Sequence, residues 1–176
     1  VTVGTHKRKN LPLLIEAFGL LRQQELTHRL VIIGQPNPAD QRLTTALDQL
    51  GPLREEVILT GYLSDQALSS YLHHADCFLF PSRYEGFGLP ILEAFAANLP
   101  VISSRIPALE EVAGSAALYV EKESALDWAA AISRVVRSAK LRHQLLSKGK
   151  KRLSLYSWEK AATETQAVLR EALSDQ

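Results

Sequence analysis

Residues Pro81–Ala94 read PSRYEGFGLPILEA, a polar bend between the apolar run Cys77–Phe80 and a stretch of helical composition. The pattern predicts a strand, a tight turn and a helix in succession. Glycine at 86 and 88 lets the chain bend sharply and brings bare backbone N–H groups close to a ligand. Pro90 suits the first helical position, where its missing N–H has no intrahelical partner to lose. The free amides of such a helix start, with the positive end of the dipole behind them, form a site for phosphate. Glu85 and Glu93 stand on either side of the turn. Singly, each feature has a structural explanation: a first-turn Glu opposes the helix dipole, and a Gly-rich bend is often only a turn. Ser82, Glu85, Gly86, Gly88, Pro90 and Glu93 nevertheless fall within one strand–turn–helix unit. An ionised carboxylate accepts hydrogen bonds from a pair of hydroxyls, so the unit suits a ligand that carries both phosphate and sugar hydroxyls.

Outward from this unit, short β-rich runs recur around Val1–Val3, Leu30–Ile33, Val57–Leu59, Cys77–Phe80, Val101–Ser103 and Leu118–Val120. They alternate with segments whose apolar residues repeat at helical spacing, as in Leu11, Leu14, Ile15, Phe18 and Leu21. Such alternation predicts an α/β fold, a Rossmann-like parallel sheet of about six strands with helices on both faces. Ligands of such sheets bind beyond the carboxyl ends of the strands. The loops there are Gly4–Asn10, Gly34–Asp40, Gly61–Ser64, Pro81–Leu89 and Ser104–Ala108. From Ser124 onward the strands stop and two or three terminal helices are expected, with Ser124 and Ser157 as N-caps.

Composition excludes several classes. The 176 residues carry a net charge of +1 with 22% charged residues, no bias toward nucleic acid or acidic lipid. No apolar run approaches the ~20 residues needed to span a bilayer, so a soluble domain is expected, compatible with a cytoplasmic setting and with peripheral membrane contact. Lys148, Lys150, Lys151 and Arg152 fall in a helical stretch and read as a solvated face. Cys77 is the single cysteine, in an apolar run, and reads as a buried inert thiol. His6, His28, His73, His74 and His143 share no metal-ligand spacing, and no bound metal is expected. His73 and His74 suit capping or solvent-facing roles at a helix end.

The loop after the first strand carries Lys7, Arg8 and Lys9 before Asn10, a candidate helix N-cap. Three cations at a helix start oppose the dipole unless an anion offsets them. A diphosphate would do so. No Gly-rich dinucleotide fingerprint follows Gly4 and no G-K-[ST] motif occurs, which disfavours an oxidoreductase or a P-loop NTPase.

PSRYEGFGLPILEA resembles the signature of the retaining GT-B glycosyltransferases of group 1, in which two glutamates with seven residues between them bracket the donor. The resemblance extends in family order through VGTHKRKNLPLLIEAF (3–18), LVIIGQP (30–36), VILTGYLSD (57–65), YLHHADCFLFPS (71–82), LPVISSRIPALEEVAG (99–114), AALYVEKE (116–123) and YSWEKAA (156–162). It implies the donor-binding C-terminal half of a two-domain enzyme. The chain has room for one domain, opens at Val1 on an apolar run and contains no Met; a fragment lacking the N-terminal acceptor domain is therefore expected. The last helix of the family crosses to that other domain, so its far end here is expected to be exposed.

The resemblance also implies roles. Glu85 would hold donor-sugar hydroxyls and Glu93 the ribose. Arg8, Lys9 and the amides of Gly86, Phe87, Gly88 and Leu89 would bind the diphosphate. Gly4, Gly34 and Gly61, with the backbone of Tyr62 and Leu63, would pass close to the nucleotide, and Ser82 completes the set. One common version of the family has Arg directly after the loop glycine, where Thr5 stands here, so Arg8 would substitute. The implied reaction is hexose transfer from a nucleoside diphosphate sugar to a glycan or lipid-linked hydroxyl with retention, without a cofactor. The versions RKNLPLLIEAF and SSRIPALEEVAG are most similar to bacterial mannosyltransferases of surface polysaccharides, which favours GDP-mannose, with UDP-hexoses next. A related GT-B epimerase or phosphorylase, or a nucleotide-sugar-binding domain without catalysis, are the alternatives.

Overall fold

The computed structural model describes residues 1–37 and 39–174. Strands β1 (Thr2–Val3), β2 (Leu30–Ile33) and β3 (Val57–Leu59) form one parallel ladder, and β4 (Phe78–Phe80), β5 (Val101–Ser104) and β6 (Ala117–Val120) a second. The expected single sheet is thus built as two ladders of three strands. A single rung connects them. The Val1 amino group donates to the Cys77 carbonyl at 2.9 Å, and the Leu79 N–H donates to the Val1 carbonyl at 2.8 Å. This is the slanted bonding of a parallel pair, and it gives the order β3-β2-β1-β4-β5-β6. The winding direction reverses between β1 and β4, the position at which doubly wound sheets bind ligands.

Helices cover both faces because strand side chains alternate. On one face Ile32, Leu79 and Ile102 join a core with α1 (Leu11–Gln23), α2 (Gln41–Gln49), α6 (Ala125–Arg137) and Leu145 of α7 (Ala139–Leu153). On the other, Ile33, Phe78, Phe80 and Val101 join α3 (Asp65–His73), α4 (Leu89–Ala96) and α5 (Pro107–Ala113). Leu14, Ile15 and Phe18 of the helical repeat are all buried, as is Trp128 of α6. Cys77 is buried, and burial pushes its thiol pKa up, which keeps it protonated and inert. Along α8 (Trp158–Ser174) no residue is buried.

Ser124 and Ser157 cap α6 and α8 as expected, accepting from the Asp127 and Lys160 amides at 3.3 and 3.1 Å. Asn10 does not behave as expected. It occupies the N-cap position of α1, but its backbone is left-handed (φ 51°) and its side chain makes no cap bond. A side-chain cap generally needs extended backbone there. The basic face of α7 also differs in one residue. Arg152 is not solvated: its Nε donates to the Val112 carbonyl at 2.8 Å and its Nη2 to the Glu111 carbonyl, tying α7 to the end of α5. His73 and His74 bond the Ser69 and Ser70 carbonyls at 2.8 Å, a local closure of the end of α3. Among the described residues no helix is long and apolar enough to cross a membrane.

Candidate functional site

The carboxyl ends of β1 and β4 open into the loops Gly4–Asn10 and Pro81–Gly88, and the reversal of winding sets these loops side by side. The Arg83 N–H donates to the Arg8 carbonyl at 2.9 Å and fixes their separation. A 3₁₀ turn over Lys7–Lys9, capped by the His6 ring accepting from the Arg8 N–H at 3.3 Å, turns Lys9 inward. The Lys9 stem lies over Gly4, where a Cβ would stand 2.9 Å from its Cε. The glycine makes room for the lysine.

Lys9 Nζ donates to Glu85 Oε1 at 2.8 Å, both side chains being 9% exposed. Ser82 Oγ donates to the same oxygen at 2.8 Å, and Arg8 Nε stands 3.7 Å from it. The ammonium also lies 4.2 Å from the centre of the buried Phe80 ring, whose face attracts cations. Burial lowers the Lys9 pKa, the hydrogen bond and charge of Glu85 oppose that shift, and the field of Glu93 adds to the opposition. Glu85 Oε1 is thus held by two donors, and no bond to Oε2 occurs among the described residues. Arg8, 43% exposed, is the cation more accessible to an incoming anion.

Beyond Glu85 the chain turns at Gly88, which is buried and left-handed with φ 114°, and α4 starts at Leu89 with Pro90 in its first turn. A Cβ at Gly88 would meet Leu109 Cδ2 at 2.7 Å, so only glycine allows α4 to begin this close to α5. Gly86 has open space where a Cβ would stand and no left-handed backbone; sharp bending is required at 88, not 86. α4 therefore starts four residues beyond Glu85, the residue that Lys9 and Arg8 approach, and a helix start near cations suits an anion. Phe87 and Leu89 are 45% and 46% exposed.

A second group adjoins on the β1–β3 side. The Gly34 N–H donates to the Gly61 carbonyl at 3.0 Å, and the Gly4 N–H to the Ile33 carbonyl at 2.8 Å. A Cβ at Gly34 would lie 3.5 Å from Gly4 Cα. Thr5 Oγ1 closes the group by donating to the Gln35 carbonyl at 2.6 Å. Of the neighbouring side chains, Tyr62 is 86% exposed and Leu63 packs into the core, which leaves main-chain groups facing the loops. Glu93 lies outside both groups: it is exposed, one turn into α4, with no ion pair or hydrogen bond among the described residues.

The sequence reading did not find Phe80 as a seat for Lys9, nor Arg83, which grips Glu123 through three bonds of 2.6 to 2.9 Å and anchors the Pro81–Gly88 loop to the segment after β6. A partner forty residues away leaves no local pattern. Among the described residues no three of His, Cys, Asp and Glu cluster as a metal site would require. A groove of about 750 Å³ between α1 and α2 is lined by Pro12, Gly19, Arg42 and Leu50, away from these loops. Its lining carries only Glu16 and Arg42 among neutral groups, whereas the loops bring two cations onto one carboxylate, so the loop cluster is the better candidate.

The family described as glycosyl transferases group 1 matches residues 2–152. The chain belongs to that family. Among curated relatives, O-antigen chain mannosyltransferase B of Escherichia coli is 31% identical over 165 residues, which cover 93% of this chain and 43% of that protein. An MMP alpha-(1->4)-mannosyltransferase of Mycolicibacterium hassiacum is 31% identical over 171 residues, 94% of this chain and 41% of that one. The chain spans about two-fifths of the length of these relatives. Among solved structures, the C-terminal domain of a group 1 family glycosyl transferase from Francisella tularensis superposes with a TM-score of 0.75 at 25% identity, covering 88% of this chain and 83% of that one. Sucrose-phosphate synthase of Thermosynechococcus elongatus gives 0.78 at 25% identity, with 99% and 46% covered. This group 1 domain therefore has the fold expected of one half of a GT-B enzyme.

Proposed function

We propose that this domain binds a nucleoside diphosphate sugar, GDP-mannose in preference to UDP-hexoses, and takes part in retaining transfer of the hexose to a glycan or lipid-linked hydroxyl. The observation that carries the reading is the convergence of Arg8, Lys9, Ser82 and Glu85 beside the glycine-started helix α4, at the reversal of the sheet. In this reading the diphosphate lies over the amides of residues 86–89 and against Arg8. As the sugar–phosphate bond breaks, positive charge grows on the ring and negative charge on the leaving diphosphate, which fixed cations and helix-terminal amides stabilise without reorganising. Lys9 contributes its charge and also holds Glu85 Oε1, leaving Oε2 for a donor-sugar hydroxyl. Glu93 takes the ribose diol, and the glycine group at 4, 34 and 61 passes the base along main-chain atoms. Retention by front-face attack, with the leaving phosphate assisting deprotonation of the acceptor, follows from the family reading. The acceptor is bound by a further domain for which the greater length of the relatives leaves room. Transfer of this kind belongs on the cytoplasmic side, with membrane contact at its periphery.

Mannosyltransferase names among the relatives support the mannose preference. Titration calorimetry with GDP, UDP and ADP tests it: GDP is expected to bind most tightly, and hydrolysis or transfer by this chain alone is expected to be negligible. Tighter binding of UDP or ADP eliminates the mannose assignment; no binding of any of the three eliminates the donor site.

A further inference from the structure

We infer that Tyr156, in the turn between α7 and α8, is a positioning residue for the Gly86–Phe87–Gly88 turn. This rests on the donor-site reading above. Phe87 supplies the turn's large side chain, and its ring meets the Tyr156 ring edge-on, centroids 5.9 Å apart at 84°. At Gly86 open space surrounds the position of a missing Cβ, so the turn lacks side-chain support there. Tyr156 is itself held on several sides. Its hydroxyl donates to the Glu111 carbonyl at 3.2 Å and accepts from Arg152 Nη2 at 3.0 Å, and the Arg152 guanidinium lies 5.5 Å from the ring centre. Arg152 reaches the Val112 carbonyl, so Tyr156 is fastened to the end of α5 as well as to α7. Helix α7 in turn packs closely on α4: a Cβ at Gly149 would stand 2.8 Å from the Phe95 ring. The amides proposed to receive the diphosphate are thereby supported from two directions, by Gly88 packed on α5 and by Phe87 leaning on Tyr156.

Removing the ring is therefore expected to loosen the turn while leaving the cores intact. An edge-to-face pair contributes enough to predict roughly a three- to ten-fold loss of nucleoside diphosphate affinity in Tyr156→Leu. Tyr156→Phe keeps the ring and loses the hydroxyl bonds, so it should retain binding to within about two-fold on the same scale. Amide hydrogen exchange of the unliganded protein gives a readout that needs no ligand: Gly86, Phe87 and Gly88 should exchange faster in Tyr156→Leu than in Tyr156→Phe. Phe87→Leu removes the same contact from the exposed side and serves if Tyr156→Leu does not fold. In the double variant Phe87→Leu/Tyr156→Leu the two losses should not add. Unchanged exchange at 86–88 in the leucine variants, or equal losses in Tyr156→Phe and Tyr156→Leu, overturns the inference. Failure of the unsubstituted protein to bind GDP or UDP overturns instead the donor-site reading, and the exchange comparison still decides the role of Tyr156.

Discussion

The two halves of the sheet build their loops differently. On the β1–β3 half, backbone hydrogen bonds tie Gly34 to Gly61 and Gly4 to Ile33, which brings the three glycines together. On the β4–β6 half, side chains hold the loops: Ser82 on Glu85, Arg83 on Glu123, Phe87 on Tyr156 and Arg105 on Glu110. Lys9 and Arg8 reach from the first half into the second, where both approach Glu85 Oε1. A wall of main chain offers nearly the same hydrogen bonds whatever its side chains, and suits contact with a flat base. A wall of tethered side chains places charges at fixed points, which reading a sugar and stabilising a departing diphosphate require. The difference teaches that substitutions should act on geometry in the first half and on charge in the second, with Gly88 as the exception.

At Gly88 the side-chain half depends on backbone form, and the largest effect is expected there. Gly88→Val demands a β-branched residue at φ 114° and puts a Cβ 2.7 Å from Leu109. Backbone strain and overpacking together should destabilise the fold by about 2–5 kcal/mol. Gly86→Ala, two residues earlier, meets open space without left-handed backbone and should stay within about 0.5 kcal/mol. Urea unfolding of both variants checks the contrast. A Gly86→Ala as damaging as Gly88→Val would show that the whole turn, and not one residue, needs glycine.

The glutamates come next. Glu85→Gln leaves the buried Lys9 ammonium without a carboxylate while keeping an oxygen for Ser82, a loss of about 1–3 kcal/mol. Glu93 is exposed and unpaired among the described residues, so Glu93→Gln should change stability by less than about 0.5 kcal/mol. Under the proposed roles the functional effects run the other way for nucleotide binding. Glu93→Gln weakens GDP or UDP affinity through the ribose, whereas Glu85→Gln spares it and impairs sugar transfer in an enzyme with its acceptor half. Thermal melts with calorimetry on the same samples separate the four quantities. Equal effects of the two changes on nucleotide affinity would dissolve the division of labour.

The side-chain half was also the harder to read in advance. Strand positions and the loops that carry the site follow from local pattern plus the topology of parallel sheets, whereas the grouping of Arg8 and Lys9 with the Glu85 turn came through the family resemblance, because strand order is not written in local pattern. Gly88 and Pro90 were legible from local pattern, since a helix start has local rules. The tethers were not: Arg83 with Glu123, and Arg152 with Val112, join residues about forty positions apart, and nothing in either segment marks the partner. Asn10 was misjudged because residue preference at a helix start fixes position and not backbone conformation. Lys9 was read as a loop cation, yet it is seated on Phe80, a residue that its own strand pattern assigns only to the core.

The smallest expected effect concerns how the side-chain half responds to alkali. Tyr119 on β6 donates its hydroxyl to the Gly114 carbonyl at 2.7 Å, holding the end of α5 to the sheet. Burial, with the nearby Glu110 carboxylate, pushes its pKa up to about 12 from an ordinary value of 10.0. The folded state thus favours the neutral phenol. Its contribution to stability is complete below the unfolded value and is lost as pH rises through about 12. Wild-type protein should therefore lose more urea resistance between pH 9 and pH 11 than Tyr119→Phe, which has no proton to lose. Absorbance at 295 nm adds a second measurement: the part of the phenolate signal that disappears in Tyr119→Phe should rise at about pH 12. If Tyr119→Phe declines as steeply as wild type, the alkaline weakness lies elsewhere, and the hydroxyl tether of β6 to α5 contributes nothing that proton loss can remove.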